Sequence, residues 1–143
     1  MTYSFFDTNL FIYQWERHPH YLKPVRELRH KMSNAGIGLV TSTMTLGEVM
    51  CKPKQAGNEA LAQQYKAALQ QIATIVSFDV RAAEFYAQIR ADHRIKHPDA
   101  VQLACAAAHG VELFITNDAE LGKLRIPGIH FIVSITTASN LIK

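Results

Sequence analysis

Four carboxylates along the chain have types and positions suited to binding a cation. They are Asp7, Glu48, Asp99 and Asp118. Asp7 and Asp118 follow short apolar runs. Glu48 lies in a helical stretch after such a run, and Asp99 opens a helix. In a parallel α/β sheet the C-terminal ends of the strands share one edge, where ligands bind. Four like charges at that edge repel one another unless a cation joins them, so the pattern indicates a metal site.

Each acid taken alone also has an ordinary structural explanation. Asp7 and Asp118 occupy positions where a carboxylate caps a helix by accepting backbone N–H bonds. Asp99 lies in the first turn of a predicted helix, where the helix dipole favours an acid and is expected to keep it ionised. Glu48 belongs to a largely apolar helical stretch, from which its side chain can reach solvent. The metal hypothesis therefore depends on the joint placement of the four residues.

Strand-like and helix-like segments alternate along the chain and would position these acids. Short aliphatic or aromatic runs predict five strands, at residues 3–6, 37–41, 74–78, 112–116 and 130–134. Their composition is typical of strands buried on both faces of a parallel sheet. Helical patterns lie between them, so the sequence predicts an α/β fold with a parallel sheet of about five strands flanked by helices.

The helical segments have recognisable boundaries. Apolar residues recur at helical spacing over residues 22–32. Asn58 and Asp79 have the side chains of N-cap residues for the next two helices. A further helix is predicted over residues 97–109, with a proline in its first turn and a glycine at its C-terminal end. Residues 51–58 are expected to form a loop that is too short to divide domains.

The composition is that of one globular domain. With 143 residues, 48% of them hydrophobic, the chain is long enough for a core, and residues 1–143 are predicted to form a single domain. No apolar run of membrane-spanning length occurs, and the N-terminus lacks signal-peptide features, so a cytoplasmic protein with no membrane association is expected. The two cysteines, Cys51 and Cys105, are predicted to be buried free thiols.

The charge balance favours a polyanionic partner. The net charge is +3 and the pI is about 9.0. Setting the four candidate ligands aside from the 12 acidic residues leaves 8 acidic against 15 basic residues. The remaining surface is then cationic, as in proteins that bind nucleic acid.

Four short segments carry the acids in a characteristic order: Phe5-Phe6-Asp7-Thr8-Asn9, Thr45-Leu46-Gly47-Glu48-Val49, Pro98-Asp99-Ala100 continuing into Ala104-Cys105-Ala106, and Ile115-Thr116-Asn117-Asp118. Their order and spacing resemble those of PIN-domain proteins, and most closely of the VapC-type ribonuclease toxins of toxin–antitoxin pairs. The resemblance spans nearly all of the chain. It implies a PIN-like, three-layer α/β/α sandwich in which the four acids form the metal pocket and are catalytic.

The resemblance also implies roles for neighbouring residues. Polar residues beside the acids are candidates for hydrogen bonds that support the pocket: Thr8, Asn9, Thr116 and Asn117. Among the acids themselves, Asp7 and Asp99 are proposed as the most direct metal ligands, with Asp118 and Glu48 completing the pocket or acting through water. Many relatives carry a further acid and an aromatic residue after the last aspartate, whereas this chain has Ala119-Glu120-Leu121, which leaves the contribution of Glu120 open.

The function implied is a metal-dependent endoribonuclease, the toxin of a type II toxin–antitoxin module. Mg²⁺ or Mn²⁺ is the expected cofactor because both are hard ions that prefer oxygen ligands. Water would attack the RNA phosphodiester in line. RNA, a cognate antitoxin protein and a second copy of the chain in a homodimer are the expected partners. Two alternatives are a non-catalytic PIN-like RNA-binding module and a nuclease that acts on DNA or on flap structures.

Other patterns carry less functional information. Arg26 and Arg29 lie in the densest basic segment, which is either a solvated helical face or a strip that holds RNA phosphates near the acids. His93 and His97 are four residues apart, but the following proline is expected to interrupt their helix, so a zinc site is not supported. The chain contains no GxGxxG or GxxxxGK[ST] motif of the nucleotide-binding folds.

Overall fold

A computed structural model describes residues 2–143 and contains all five predicted strands. They are Tyr3–Phe6 (β1), Gly38–Ser42 (β2), Thr74–Val76 (β3), Leu113–Ile115 (β4) and Phe131–Val133 (β5). Their ends differ from the predicted ends by at most two residues. All neighbouring strands pair in parallel, in the order β3-β2-β1-β4-β5. The predicted α/β fold with a five-stranded parallel sheet is confirmed.

Residues 2–143 also form seven α-helices and one short 3₁₀ helix. The α-helices are Thr8–Trp15 (α1), Leu22–Asn34 (α2), Thr43–Gln55 (α3), Glu59–Ile72 (α4), Val80–Asp92 (α5), His97–His109 (α6) and Ile135–Leu141 (α7). The 3₁₀ helix spans Leu121–Lys123. The predicted capping residues are in place: the side chain of Asn58 accepts from the backbone of Leu61, and that of Asp79 accepts from Ala82.

The sheet separates two hydrophobic cores. Successive residues of a strand point to opposite faces, so Phe5 and Phe114 pack with α5 and α6, and their rings stack 5.0 Å apart. Phe6, Leu113 and Ile115 point the other way and pack with α1, α2, α4 and α7. The molecule therefore has the predicted three layers, α/β/α.

The expectation that every strand is buried on both faces is wrong for the two edge strands. β3 and β5 each have only one neighbouring strand. Thr74 is exposed on β3, and the Phe131 side chain on β5 is 57% exposed. Complete burial is found in β4, and in β1 beyond its first residue.

The segment predicted as a loop, residues 51–58, is mostly helical. α3 continues to Gln55 and contains Pro53 in its last turn. Pro53 is buried, so packing of its ring offsets the loss of a helical hydrogen bond. The chain turns only at Gly57, whose φ of 70° lies in the left-handed region that glycine tolerates.

The two cysteines differ in environment. Cys105 is buried as predicted, and desolvation raises the pKa of its thiol to about 11. Cys51 is exposed on α3, so the prediction that both thiols are buried is wrong for this residue. The surrounding apolar residues face the core on the other side of the helix. Among residues 2–143, no helix is long and apolar enough to cross a membrane.

Candidate active site

The acidic residues lie at the C-terminal edge of the sheet. Asp7 directly follows β1, and its backbone N–H donates to the carbonyl of Ile115, the last residue of β4, at 3.1 Å. This bond brings the ends of the two central strands together. Thr116 and Asp118 follow β4 on the same edge, and α3, which carries Glu48, starts directly after β2.

The carboxylate of Asp7 is held by two groups of the protein. It is the N-cap of α1, where Oδ1 accepts from the backbone of Thr8 at 2.8 Å, and Oδ2 accepts from the hydroxyl of Thr116 at 2.8 Å. Burial raises the pKa of Asp7 and outweighs these two hydrogen bonds, which lower it. The charges of Glu48 and Asp118 raise that pKa further.

Glu48 is held by the hydroxyl of Thr8, which donates to Oε1 at 2.7 Å. Since Thr8 follows Asp7 directly, one dipeptide orients two of the four carboxylates. Glu48 is half-buried, and the hydrogen bond to a buried hydroxyl limits the positions that its side chain can take. The Asp7 and Glu48 carboxylates are therefore oriented by the protein itself.

A network of buried polar side chains supports this arrangement. Its members are Thr8, Thr41, Ser42, Thr45 and Gln102, which hydrogen bond to one another. The amide nitrogen of Gln102 lies 3.0 Å from the hydroxyl of Thr8 and 2.7 Å from that of Thr45, and its amide oxygen accepts from Ser42. A hydroxyl has one proton. Because Thr8 uses its proton for Glu48, it must accept from Gln102, which determines the orientation of the amide.

Asp99 and Asp118 are less constrained. Asp99 lies in the first turn of α6, and its carboxylate receives no hydrogen bond from another side chain in the described part of the chain. Asp118 is exposed, and its Oδ1 accepts only from the backbone of the following turn, from Glu120 at 2.9 Å and Leu121 at 3.4 Å. Both aspartates border one open cavity, together with Glu120.

The direction of the pKa shift of Asp99 differs from the one that the helix dipole predicts. Desolvation raises its pKa, the charges of Asp7 and Asp118 raise it further, and the charge of Lys96 lowers it. The helix dipole was expected to keep Asp99 ionised, but burial and repulsion between carboxylates dominate. Asp7, Glu48 and Asp118 thus each raise the pKa of at least one other acid of the group.

The fit to a metal ion depends on the donor chemistry. Within residues 2–143, no three acidic, imidazole or thiol groups converge closely enough to form a ready-made metal site. Carboxylates that repel each other separate when no cation lies between them. The donors are oxygens, and two of the acids have a raised pKa, an energetic cost that a hard divalent cation would relieve. The residues present therefore fit such an ion.

The residues predicted to support the pocket differ in their contacts. Thr8 and Thr116 are buried and donate hydrogen bonds to Glu48 and Asp7, respectively. Asn9 is exposed, and among the described residues its side chain bonds none of the four acids. Asn117 is also exposed, and its amide lies 3.4 Å from the hydroxyl of Tyr13.

The basic residues selected from the sequence lie on α2. Arg26 is exposed, whereas Arg29 is half-buried and donates to Gln14 at 2.9 Å. Neither residue affects the pKa of Asp7 or Asp99, whereas Lys96 affects that of Asp99. Sequence reasoning therefore missed Lys96, whose charge acts on Asp99 and which lies three residues before it.

The fold and the site together define a class: α/β proteins with an all-parallel sheet and mutually repelling carboxylates at its C-terminal edge. A model of the PIN domain matches residues 4–127. This chain belongs to the PIN-domain family, as its motifs predicted.

Solved structures with a similar fold are toxin–antitoxin complexes. The chain resembles a VapBC complex from Rickettsia felis bound to promoter DNA, with a TM-score of 0.72 at 18% identity, over 93% of this chain and 98% of that one. It also resembles a DNA-bound VapBC complex from Salmonella typhimurium, with a TM-score of 0.69 at 22% identity, over 94% and 99%.

A toxin–antitoxin complex from Klebsiella pneumoniae is 25% identical, with a TM-score of 0.64 over 88% of this chain and 94% of that one. No match was found among curated proteins. The predicted resemblance to VapC-type PIN domains is confirmed.

Proposed function

We propose that this protein is a metal-dependent endoribonuclease and that Asp7, Glu48, Asp99 and Asp118 are its catalytic and metal-binding residues. The observation that carries the proposal is that these acids lie at one edge of the sheet, where the charges of Asp7, Glu48 and Asp118 raise the pKa of a neighbouring acid. Such repulsion lowers stability and is typical of functional sites, where a ligand offsets it.

Mg²⁺, or Mn²⁺ in its place, is the proposed cofactor, because all four donors are carboxylates. When bound, such an ion screens the charge of the phosphodiester, lowers the pKa of water and stabilises the leaving oxygen. Asp7 and Asp99 are proposed to hold it directly, and Asp118 and Glu48 to complete its environment.

The remaining residues have positioning roles in this proposal. The hydroxyls of Thr116 and Thr8 hold the carboxylates of Asp7 and Glu48 before the substrate arrives, which lowers the entropic cost of assembling the site. Asp99 and Asp118 lie on the open side and adjust to the substrate. Asn9 and Asn117 remain candidates for contacts with RNA at the rim.

The test is cleavage of RNA in Mg²⁺ by an Asp7→Asn variant. Asparagine caps helices about as well as aspartate, so the fold should be retained while the negative charge is lost. We expect cleavage to fall by more than about 100-fold, beyond the usual effect of changing a residue that only supports a ligand. Cleavage retained in a cleanly purified variant would contradict the assignment.

Asp79→Asn is the matched control. Asp79 caps α5 through the backbone of Ala82, so the same substitution removes a capping carboxylate elsewhere. It should leave cleavage unchanged. Binding of RNA without cleavage by the unmodified protein would favour a non-catalytic module, and cleavage of DNA in preference to RNA would favour a DNA or flap nuclease.

We further propose that the protein is a toxin inhibited by a cognate antitoxin, because its fold is that of chains solved in toxin–antitoxin complexes. A groove beside Glu48 suits an apolar segment of such a partner. Its apolar lining includes Ile12, Trp15, Val49, Leu61 and Tyr65. Trp15 and Tyr65 stack 4.9 Å apart there.

Expression of the wild-type protein should arrest bacterial growth, and the Asp7→Asn variant should not. The proposal predicts a short reading frame immediately upstream that encodes the antitoxin, and co-expression of its product should relieve the arrest. Growth arrest that persists in the Asp7 variant would argue against a nuclease toxin. The proposed homodimer predicts twice the monomer mass of 16.0 kDa in light scattering.

A further inference from the structure

Three basic side chains border the part of the acidic site that contains Asp99 and Asp118. Arg90 at the end of α5, and Arg94 and Lys96 in the turn before α6, line the same cavity as Asp99 and Asp118. Its volume of about 580 Å³ is within the usual range of ligand pockets, about 300–1,000 Å³. The cavity is thus lined by both cations and carboxylates.

None of these cations forms a salt bridge within residues 2–143, although the charge of Lys96 lowers the pKa of Asp99. The salt bridges in that part of the chain join other side chains. Unpaired cations beside a cavity favour binding of an anion, and their charges act over the Debye length of about 8 Å at physiological salt.

Arg90 supplies a second observation. One guanidinium nitrogen, Nη1, is buried and has no hydrogen-bond partner among the described residues. The guanidinium also lies over the ring of Tyr86, 5.9 Å from its centre, and the Tyr86 hydroxyl bonds His97 at the start of α6. A buried donor without a partner costs free energy. Arg90 also lines the cavity, where a guanidinium can donate a short, charge-assisted bond to a phosphate oxygen.

We propose that Arg90, Arg94 and Lys96 bind the RNA backbone phosphates next to the cleaved bond. This inference rests on the proposed function of Asp99 and Asp118. It identifies the residues that bind the RNA strand where it extends beyond these two acids. The cations offset the repulsion between the RNA and the acidic site. Phosphate contacts of this kind orient the strand without reading its sequence.

The basic face of α2 is a weaker candidate for the same role. Arg29 already donates to Gln14, and Lys31 donates to the carbonyl of Ser139 at 2.8 Å. Their hydrogen-bonding capacity is therefore partly used within the fold. Lys23 and Arg26 are exposed on the same helix, so they offer a control pair with the same charge.

The experiment compares two double variants in the Asp7→Asn background, which is expected to bind RNA without cutting it. Binding of a labelled single-stranded RNA is measured by fluorescence anisotropy between about 50 and 300 mM KCl. Replacing Arg94 and Lys96 with alanine should lower the slope of log K against log salt by about 1.4, or about 0.7 per lost phosphate contact. Replacing Lys23 and Arg26 with alanine should leave the slope unchanged.

A slope unchanged by the Arg94 and Lys96 substitutions, or lowered equally by both pairs, would overturn the inference. Cleavage by the same double variants with Asp7 intact separates this failure from that of the proposed function. If the parent protein cuts RNA in Mg²⁺ but the Arg94 and Lys96 pair changes neither KM nor the salt slope, only the phosphate site is wrong. If the parent does not cut RNA, the proposed function itself fails. Arg90 is left out because it packs on Tyr86.

Discussion

The acidic site has two halves that differ in how they are held. Asp7 and Glu48 receive hydrogen bonds from Thr116 and Thr8, and a buried amide, that of Gln102, supports Thr8 from below. Asp99 and Asp118, the other half, border an open cavity and receive no hydrogen bond from another side chain among the described residues. Hydrogen bonds from the protein fix the carboxylates of the first half, whereas the carboxylates of the second half can still change position.

The two halves are therefore suited to different tasks: the first holds its carboxylates in fixed positions, and the second can adjust to a bound ligand. A buried polar network stabilises one arrangement because each unsatisfied group in it would be costly, so the first half is preorganised. Carboxylates that repel each other without hydrogen-bond support raise the free energy of the metal-free protein instead. Under the proposed function, the second half is therefore where a cation and RNA phosphates would have the largest effect on structure.

Gln102→Leu should have the largest effect, because it removes the amide that supports the hydrogen-bonded half of the site. Ser42, Thr8 and Thr45 would each lose a buried hydrogen-bond partner, at about 1–3 kcal/mol for a group left unsatisfied. We expect the free energy of unfolding to fall by about 3 kcal/mol in urea denaturation. Gln88→Leu is the control, since Gln88 is exposed and bonds only Asp92. Equal stability of the two variants would show that the network does not hold the site.

Thr8→Val tests the link from this network to Glu48. The change keeps the shape of the side chain but removes the hydroxyl that donates to Oε1. We expect a loss of about 1–2 kcal/mol in stability and a fall of about 10- to 100-fold in RNA cleavage. Thr8→Ser retains the hydroxyl and should retain most of the cleavage. A serine variant as impaired as the valine variant would indicate that packing of the methyl group matters instead.

Asp99→Asn should have the opposite effect on stability, because it relieves repulsion in the open half. The pKa of Asp99 is raised in the folded state, so its ionisation costs stability as the pH rises above the unfolded value of 3.8. The variant should be more stable than the wild type at neutral pH, by about 0.5 kcal/mol after solvent screening. The gain should vanish below pH 3.8, where the acid is protonated in both states.

The Asp99→Asn variant also tests whether Asp99 binds the divalent cation. Mg²⁺ at about 100 times its dissociation constant should stabilise the wild type by about 2.7 kcal/mol in thermal unfolding, and the Asp99→Asn variant should lose most of this gain. Asp92→Asn, on the exposed end of α5, serves as a control for the loss of one negative charge. Equal stabilisation of all three proteins by Mg²⁺ would contradict a role for Asp99 in binding it.

Glu120→Gln should have the smallest effect. Glu120 borders the open cavity but pairs with Lys123 at 3.1 Å, and the two side chains are 82% and 70% exposed. We expect a change of less than about 0.5 kcal/mol in stability and no more than about twofold in cleavage rate. A large fall in cleavage would add Glu120 to the open half as a fifth functional acid.

Much of this architecture was predictable from the chain. The five strands appear within two residues of their predicted ends, because short apolar runs bounded by capping residues are local signals. Asp7 and Asp118 follow strands that end at one edge, so their neighbourhood followed from the topology. The end of α3 was missed because Lys52-Pro53-Lys54 has loop-like composition, although burial of Pro53 keeps the helix intact.

The buried network was not predictable in the same way. Gln102 appears in the sequence as one polar residue in an Ala-rich helix, and its partners Thr8 and Thr45 are 94 and 57 positions away. A signal was present, since a lone glutamine among the apolar residues of a buried helix needs polar partners. Nothing local, however, identifies which hydroxyls those partners are.

The sequence alone predicted the family and the order of the strands along the chain, and it selected the four candidate acids, because residue types and local periodicity carry that information. The tertiary structure decided which acids are held by hydrogen bonds, which have a raised pKa and which cations face the open cavity. Those properties depend on desolvation and on contacts between residues far apart in the chain, and both arise only when the helices pack against the two faces of the sheet.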